Sequence, residues 1–486
     1  MNWLRPSLLV ARRELKDSLA DWRIITPVVI LTFLFPWLIL LSANAGIDFL
    51  ERYSPGLVSG QLVPFATMIV GFFPTSFSLV IALESFVGEK ERNTLESLLS
   101  TPISDRTLYL GKLLAALVLP LAGSLASIAL FALLLPGVTG LTIPPDLVGQ
   151  IACLAVTLTV GMVAGAVVVS SNTTSVRAAN LLASFIVVPA ALIVTFQALV
   201  VAWNARPVLW LVALAQAVAD VALIRMGIRI FSRENLLART IDRIDLRRTW
   251  RTLRSFLRQE PAAVLSGRPS APLTVGRLYR RDIPQILGRS GGAALVVAAA
   301  AFLGVAAGWF LARSHPLPPE LAGEWKWTPE VVRQHLVEFR RALGGWNWAP
   351  WLIFFQNLRA IFLSGLFSLV SLGMAAAAPL LLVSGILGFV LAETAGLGSS
   401  LFPIAMLLWP HALLEVPAAV AAAAVALRMG ASVLAPPPEM TLGETLLLGL
   451  ADFLKVFFLL VLPLFLVAAF VEVYVTPLLA LWILGG

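Results

Sequence analysis

Apolar runs long enough to cross a bilayer recur along the chain, separated by short polar interruptions. A helix needs about 20 predominantly apolar residues to span the hydrocarbon core. Residues 24–42, 61–83, 108–135, 148–170, 181–203 and 207–230 each qualify. A basic stretch follows over 231–290. Apolar character resumes at 291–312, gives way to a mixed loop rich in Trp and Pro over 313–350, and returns at 351–373, 375–393, 401–427 and 446–471. The residues past Pro477 are too few to assign as a span. This pattern predicts an all-α polytopic membrane protein in two parts: a six-span domain over 1–230 and a five- or six-span helical domain over 291–486, joined by the basic linker 231–290. No strong internal repeat relates the two.

Composition narrows the function classes. The chain is 59% hydrophobic and 13% charged, against roughly 25% charged in soluble domains. A net charge of +8 would in a soluble protein suggest nucleic-acid binding. Here the cations crowd into a few interspan segments: Arg5, Arg12, Arg13, Lys16 and Arg23 at the start, Lys90, Arg92, Arg106 and Lys112 after the second span, and fifteen arginines over 225–290. Such clusters orient membrane proteins with the positive loops inside, so no nucleic-acid partner is expected. The N-terminus, the 87–112 stretch and the linker then all lie in the cytoplasm, with even numbers of spans between them. A single span at 291–312 places the 313–350 loop, with His315 and His335, outside. The expected location is the inner (plasma) membrane, multi-pass, with lipids as the surrounding partner. The single Cys153 permits neither a disulfide framework nor a thiolate metal site within one chain.

Three polar segments carry the candidate chemistry. Residues 7–22 place Leu8, Leu15, Leu19 and Trp22 on one face and Arg12, Arg13, Lys16 and Asp17 on the other. This spacing predicts an amphipathic helix lying on the inner leaflet ahead of the first span. The linker, with FSRENLLARTIDRIDLRRTWRTLRSFLRQE near its start, reads as a solvated or headgroup-bound amphipathic helix, with an anionic-lipid or regulatory site as the other reading. The stretch VGEKERNTLESLLSTPISDRTLYLGK over 87–112 is the most polar run of the first half. Leu95, Leu98 and Leu99 give it an apolar face at helical spacing. Pro102 ends this helix, and Ser104 or Asp105 caps the next, which runs into a span. A short charged helix with one apolar face is suited to docking a soluble protein.

These residues resemble the signature of type-2 ABC-transporter permeases: Glu84, then Gly88-Glu89-Lys90-Glu91-Arg92, Thr94-Leu95-Glu96, Leu98-Leu99, Thr101-Pro102 and Gly111-Lys112. Asn93 stands where that family usually has glycine. The resemblance covers about 1–230. It implies that Glu84, Glu89, Lys90, Glu91, Arg92, Thr94, Leu95, Glu96, Leu98, Leu99 and Pro102 form a coupling helix that fits a cleft on an ATPase subunit. No G-x-x-x-x-G-K-[ST] phosphate loop occurs in the sequence. The resemblance therefore implies a separate ABC ATPase, ATP and Mg bound on that partner and no cofactor on this chain. It also implies a homodimer, since six spans are half of a transport unit. The implied function is the permease subunit of an ABC exporter, without an enzymatic site of its own.

The second half has a different constellation. His411 and Glu415 stand four apart within an apolar run, hence on one helix face. An ionisable pair there is costly and marks function by default. Pro410 and Pro417 are expected to interrupt that helix and free carbonyls. Asn357 and Arg359 are further polar residues in apolar surroundings, and Arg359 is placed to neutralise Glu415. Gly365, Gly373, Gly385 and Gly388 allow close helix approach. With Gln356-Asn357 and the Pro410-His411…Glu415…Pro417-Ala418 helix, the region over about 290–475 resembles the stage II sporulation protein M family. His411 and Glu415 either lock two helices together or handle substrate or protons. A metal site lacks donors, since three or four ligands are usual. Two further function readings stay open: an envelope-remodelling scaffold driven by the ATPase without transport, and an intramembrane enzyme using His411 and Glu415.

Overall fold

The structure is a computed structural model. It describes residues 4–42, 62–77, 79–83, 87, 103–172, 176–202, 206–230, 246–259, 273–314, 316–317, 348–434 and 440–484, with a few isolated positions besides. Every regular element in it is helical. Among the described residues, ten helices are long and apolar enough to cross a membrane, and a shorter apolar stretch, Phe185–Val201, lies within a further helix. The chain forms two compact units, Met1–Arg243 and Ile244–Gly486.

In the first unit, α1 (Leu4–Ala20) precedes α2 (Ile24–Ser42), α3 (Val63–Leu83), α4 (Asp105–Thr139), α5 (Pro145–Asn172), α6 (Val176–Ala202) and α7 (Arg206–Ile230). The amphipathic helix α1 has three faces rather than two. Leu8 and Leu19, with Trp22 just beyond the helix, remain exposed, while Ser7 and Ala11 are buried against α4. Small side chains let the backbones approach where a leucine would hold them apart. Within the bundle, hydroxyl groups tie helix to helix: Ser124 Oγ donates to Gly71 O at 2.8 Å, and Thr75 and Thr159 share a 3.0 Å hydrogen bond. Gln197 and Thr157 both donate to Gln216 Oε1. In an apolar medium such groups have no water to turn to and must satisfy one another.

The second unit contains α8 (Leu246–Arg258), a helical run over 275–289, α9 (Gly291–Ser314), α10 (Ala349–Phe367), α11 (Met374–Gly396), α12 (Phe402–Ala431) and α13 (Gly443–Ile483). Helices α9 and α11 pack backbone to backbone. A Cβ at Gly308 would overlap Gly385 O, and one at Gly388 would overlap Val305 O. Helix α12 is the hub. Its stripe Ala418, Ala419, Ala422, Ala423 and Ala426 is buried among Phe354, Ile361, Phe453 and Phe457. Gly365 on α10 receives the Phe453 ring, which leaves no room for a Cβ there. Leu372 and Gly373 both take positive φ, 52° and 90°, to turn α10 into α11. A left-handed residue costs a leucine about 1–2 kcal/mol, and that turn is braced by Gly430 of α12.

One expectation is corrected here. Pro410 and Pro417 do not interrupt their helix, since α12 runs unbroken from Phe402 to Ala431. Each proline deletes only its own hydrogen bond to the residue four before it. Ending the helix inside an apolar medium would orphan several backbone groups at each new terminus. The chain past Pro477 also stays helical, through Leu484, with π turns at Phe457–Val461 and Val471–Val475. The 41 residues of α13 extend about 62 Å, twice the hydrocarbon thickness of about 30 Å. Helix α13 is therefore longer than one span needs, and its charged Asp452 and Lys455 lie toward its N-terminal end.

The basic linker also differs from a free surface helix. Phe256 of α8 is 1% exposed and packs with Leu253 and Leu257 against Met440, Leu447, Leu448 and Ala451. Its apolar face is already covered by its own unit.

Candidate functional site

The coupling residues Glu84, Glu89, Lys90, Glu91, Arg92, Thr94, Leu95, Glu96, Leu98, Leu99 and Pro102 lie outside the described residues. Both stems of that segment are described, and both are held. On the entry side, Ser170 of α5 donates to Leu83 O at 2.6 Å and accepts from Val87 N at 3.3 Å. Val87 is fully buried. On the exit side, Ser104 caps α4 by accepting from Thr107 N at 3.3 Å, one of the two caps expected from the sequence. Ser7 of α1 donates to Thr107 O at 3.2 Å. Lys112, with a fully buried side chain, pairs with Glu14 of α1 at 3.3 Å. Gly111 makes room for this contact, since a Cβ there would stand 2.7 Å from Val10. Gly111-Lys112 thus has a local role: the glycine admits α1 and the lysine holds it.

In the second unit, polar residues of two helices are brought together. Asn357 Nδ2 of α10 donates to Glu415 Oε1 of α12 at 2.7 Å. His411 sits one turn before Glu415 on α12, half-buried, and among the described residues nothing hydrogen-bonds its Nδ1. Glu472 lies in the π turn Val471–Val475 of α13, a turn that packs against α12. Sequence reading did not single out Glu472. Its signal was a lone carboxylate in an apolar run, the criterion that had flagged Glu415. Single π turns are frequent at functional positions. Arg359 does not neutralise Glu415 but lies exposed on α10. Residues two apart on a helix point some 200° from one another, so Asn357 and Arg359 cannot both face α12.

These contacts separate the roles of two neighbours. Replacing Asn357 by leucine strips Glu415 of its donor and is expected to cost about 1–3 kcal/mol, the penalty for an orphaned buried acceptor. Replacing His411 by leucine removes no hydrogen bond at Nδ1 and is expected to cost less. Thermal unfolding of the detergent-solubilised chain measures both. Equal losses would show that His411 has a structural partner the geometry misses.

A second charged cluster was not legible from sequence. Arg428 at the end of α12 meets Asp452 of α13 at 2.6 Å. Lys455, one turn on, meets Asp282 at 3.5 Å, and Arg277 meets Asp282 at 3.4 Å. Asp282, Asp452 and Lys455 are all buried. The only sequence sign was an Asp–Lys spacing of three in an apolar helix, and the partners come from segments far apart in the chain. Tyr279 Oη, beside it, donates to Leu459 O at 2.7 Å, inside the π turn Phe457–Val461. The cluster fastens the 275–289 run to the N-terminal part of α13. Among the described residues no group of three or more His, Cys, Asp or Glu is arranged to hold a metal ion.

Comparison with known families agrees with this division. Residues 8–207 match the family model described as ABC-2 family transporter protein. Residues 294–477 match that described as Stage II sporulation protein M. Compared with curated proteins, the chain matches none. Two membrane segments, one matching the ABC-2 transporter family and one matching the stage II sporulation protein M family, are thus joined in a single polypeptide.

Proposed function

We propose that the first unit is the permease half of an ATP-driven exporter, moved by a separate ABC ATPase that grips the segment 84–102. The observation that carries this reading is the clamping of both stems of that segment, by Ser170 at Leu83 and Val87 and by α1 at Thr107 and Lys112. A push on the segment is passed to α3, α4 and α5 together rather than absorbed by a loose loop. Catalysis of ATP hydrolysis, with ATP and Mg, belongs to the partner, and the ATPase is the motor rather than this chain. Two copies complete the transport unit. The cavity between Met68, Thr75, Leu154 and Gln197 holds about 10 Å³, room for about one water. A pathway between copies accommodates a substrate where that cavity does not. The membrane is the inner (plasma) membrane, with the segment 84–102 on its cytoplasmic side.

The test is copurification. An ATPase subunit is expected to accompany the solubilised chain and to be lost from the double variant Glu91→Ala/Leu95→Ala. Retention of the ATPase by that variant would place the grip elsewhere.

A further inference from the structure

We propose that the arginine stripe of α8 binds the headgroups of anionic phospholipids without burying the apolar face of the helix in the bilayer. The argument is independent of the exporter reading and lies wholly within the second unit.

Helix α8 reads LRRTWRTLRSFLR and contains no acidic residue. An amphipathic basic helix ordinarily reaches a membrane by burying its apolar face among the acyl chains. That route is closed here, because Leu253, Phe256 and Leu257 are spent on Met440, Leu447, Leu448 and Ala451. What faces outward is the other side. Arg251, Arg254 and Arg258 are exposed and, at spacings of three and four, form one stripe. Trp250 borders this stripe and is 63% exposed. An amphipathic ring beside a row of cations is the pairing found at the headgroup level of a bilayer.

Charge selects the partner. Helix α8 packs on the first turns of α13, where Asp452, Lys455, Arg428 and Asp282 pair with one another. The stripe itself has no acidic residue on its own helix, and an anionic headgroup complements it. Each basic residue near an anionic leaflet strengthens binding about fivefold. Three lost charges then predict a loss on the order of a hundredfold, shrinking as salt screens the field.

The full chain, with Cys153→Ser and a fluorophore on Thr249→Cys, tests this in nanodiscs that carry headgroup spin-labelled lipid. Thr249 is an exposed position of α8. Spin-labelled phosphatidylglycerol is expected to quench the fluorophore strongly and spin-labelled phosphatidylcholine weakly. Arg251→Gln/Arg254→Gln/Arg258→Gln should erase the difference, and Arg251→Lys/Arg254→Lys/Arg258→Lys should keep it, which separates lost charge from lost folding. Equal quenching by both lipids, or a preference that survives the glutamine variant, would overturn the proposal. So would shielding of the label by an ATPase subunit or by nucleic acid in place of lipid.

Discussion

Replacing Asp452 by alanine is expected to destabilise the second unit by about 3 kcal/mol. Removing one member of a buried ion pair commonly costs 3–5 kcal/mol, because the other charge is left uncompensated. Asp452 is 2% exposed and takes a 2.6 Å hydrogen bond from Arg428. The low end of the range applies for two reasons. The Arg428 side chain keeps 27% of its surface open, and Lys455 still has Asp282. Asp452→Asn preserves an acceptor and should lose about half as much. The double variant Arg428→Met/Asp452→Leu removes both charges and should recover most of the loss, since apolar replacement of a buried pair is often neutral. Thermal unfolding of the detergent-solubilised chain reads all three. A double variant as unstable as Asp452→Ala would mean that the pair itself, rather than the orphaned charge, holds the helices.

The second large effect is expected at Gly308. Residues 304 and 308 form a G-x-x-x-G pair on α9, the arrangement that lets helix backbones touch in membranes. A Cβ at 308 would overlap the Gly385 carbonyl, and backbone cannot rotate aside as a side chain does. Overpacking typically costs about 1–3 kcal/mol, and Gly308→Leu should reach or exceed the upper figure by forcing α9 from α11. Gly292, in the same helix, has open space around its Cβ position. Gly292→Ala should leave stability unchanged or raise it by up to about 1 kcal/mol through helix propensity. Folded yield in detergent and the unfolding temperature distinguish the two. Equal behaviour at 292 and 308 would contradict the close packing.

The spans were legible because an apolar run of span length has few alternatives. What the sequence hid were contacts made by small or ordinary residues. Ser7 and Ala11 seat α1, yet a hydrophobic-face reading attends to Leu8, Leu15 and Leu19, which the bundle leaves exposed or partly so. Asn357 and Arg359 both stand out as polar residues in apolar surroundings, and opposite charge alone points to Arg359 as the partner of Glu415. The helical angle between 357 and 359 would have decided between them. The Arg428–Asp452 pair and the Asp282–Lys455 pair join segments that only the folded chain brings together. The linker reads as a solvated or headgroup-bound helix, and its sequence carries no sign that Phe256 packs against Leu447, Leu448 and Ala451.

The second segment carries an Asn357–Glu415 hydrogen bond that the exporter reading does not use. It joins α10 to α12, so any motion of these helices against one another alters it.

The central claim, that a separate ATPase drives the first unit, is tested most directly by the rate of ATP hydrolysis. The partner ATPase is assayed alone and with the chain reconstituted in a bilayer. The account predicts that the embedded chain changes the turnover of the ATPase, and that Glu91→Ala/Leu95→Ala abolishes the change while the chain stays folded. Turnover that is the same with and without the chain would contradict it.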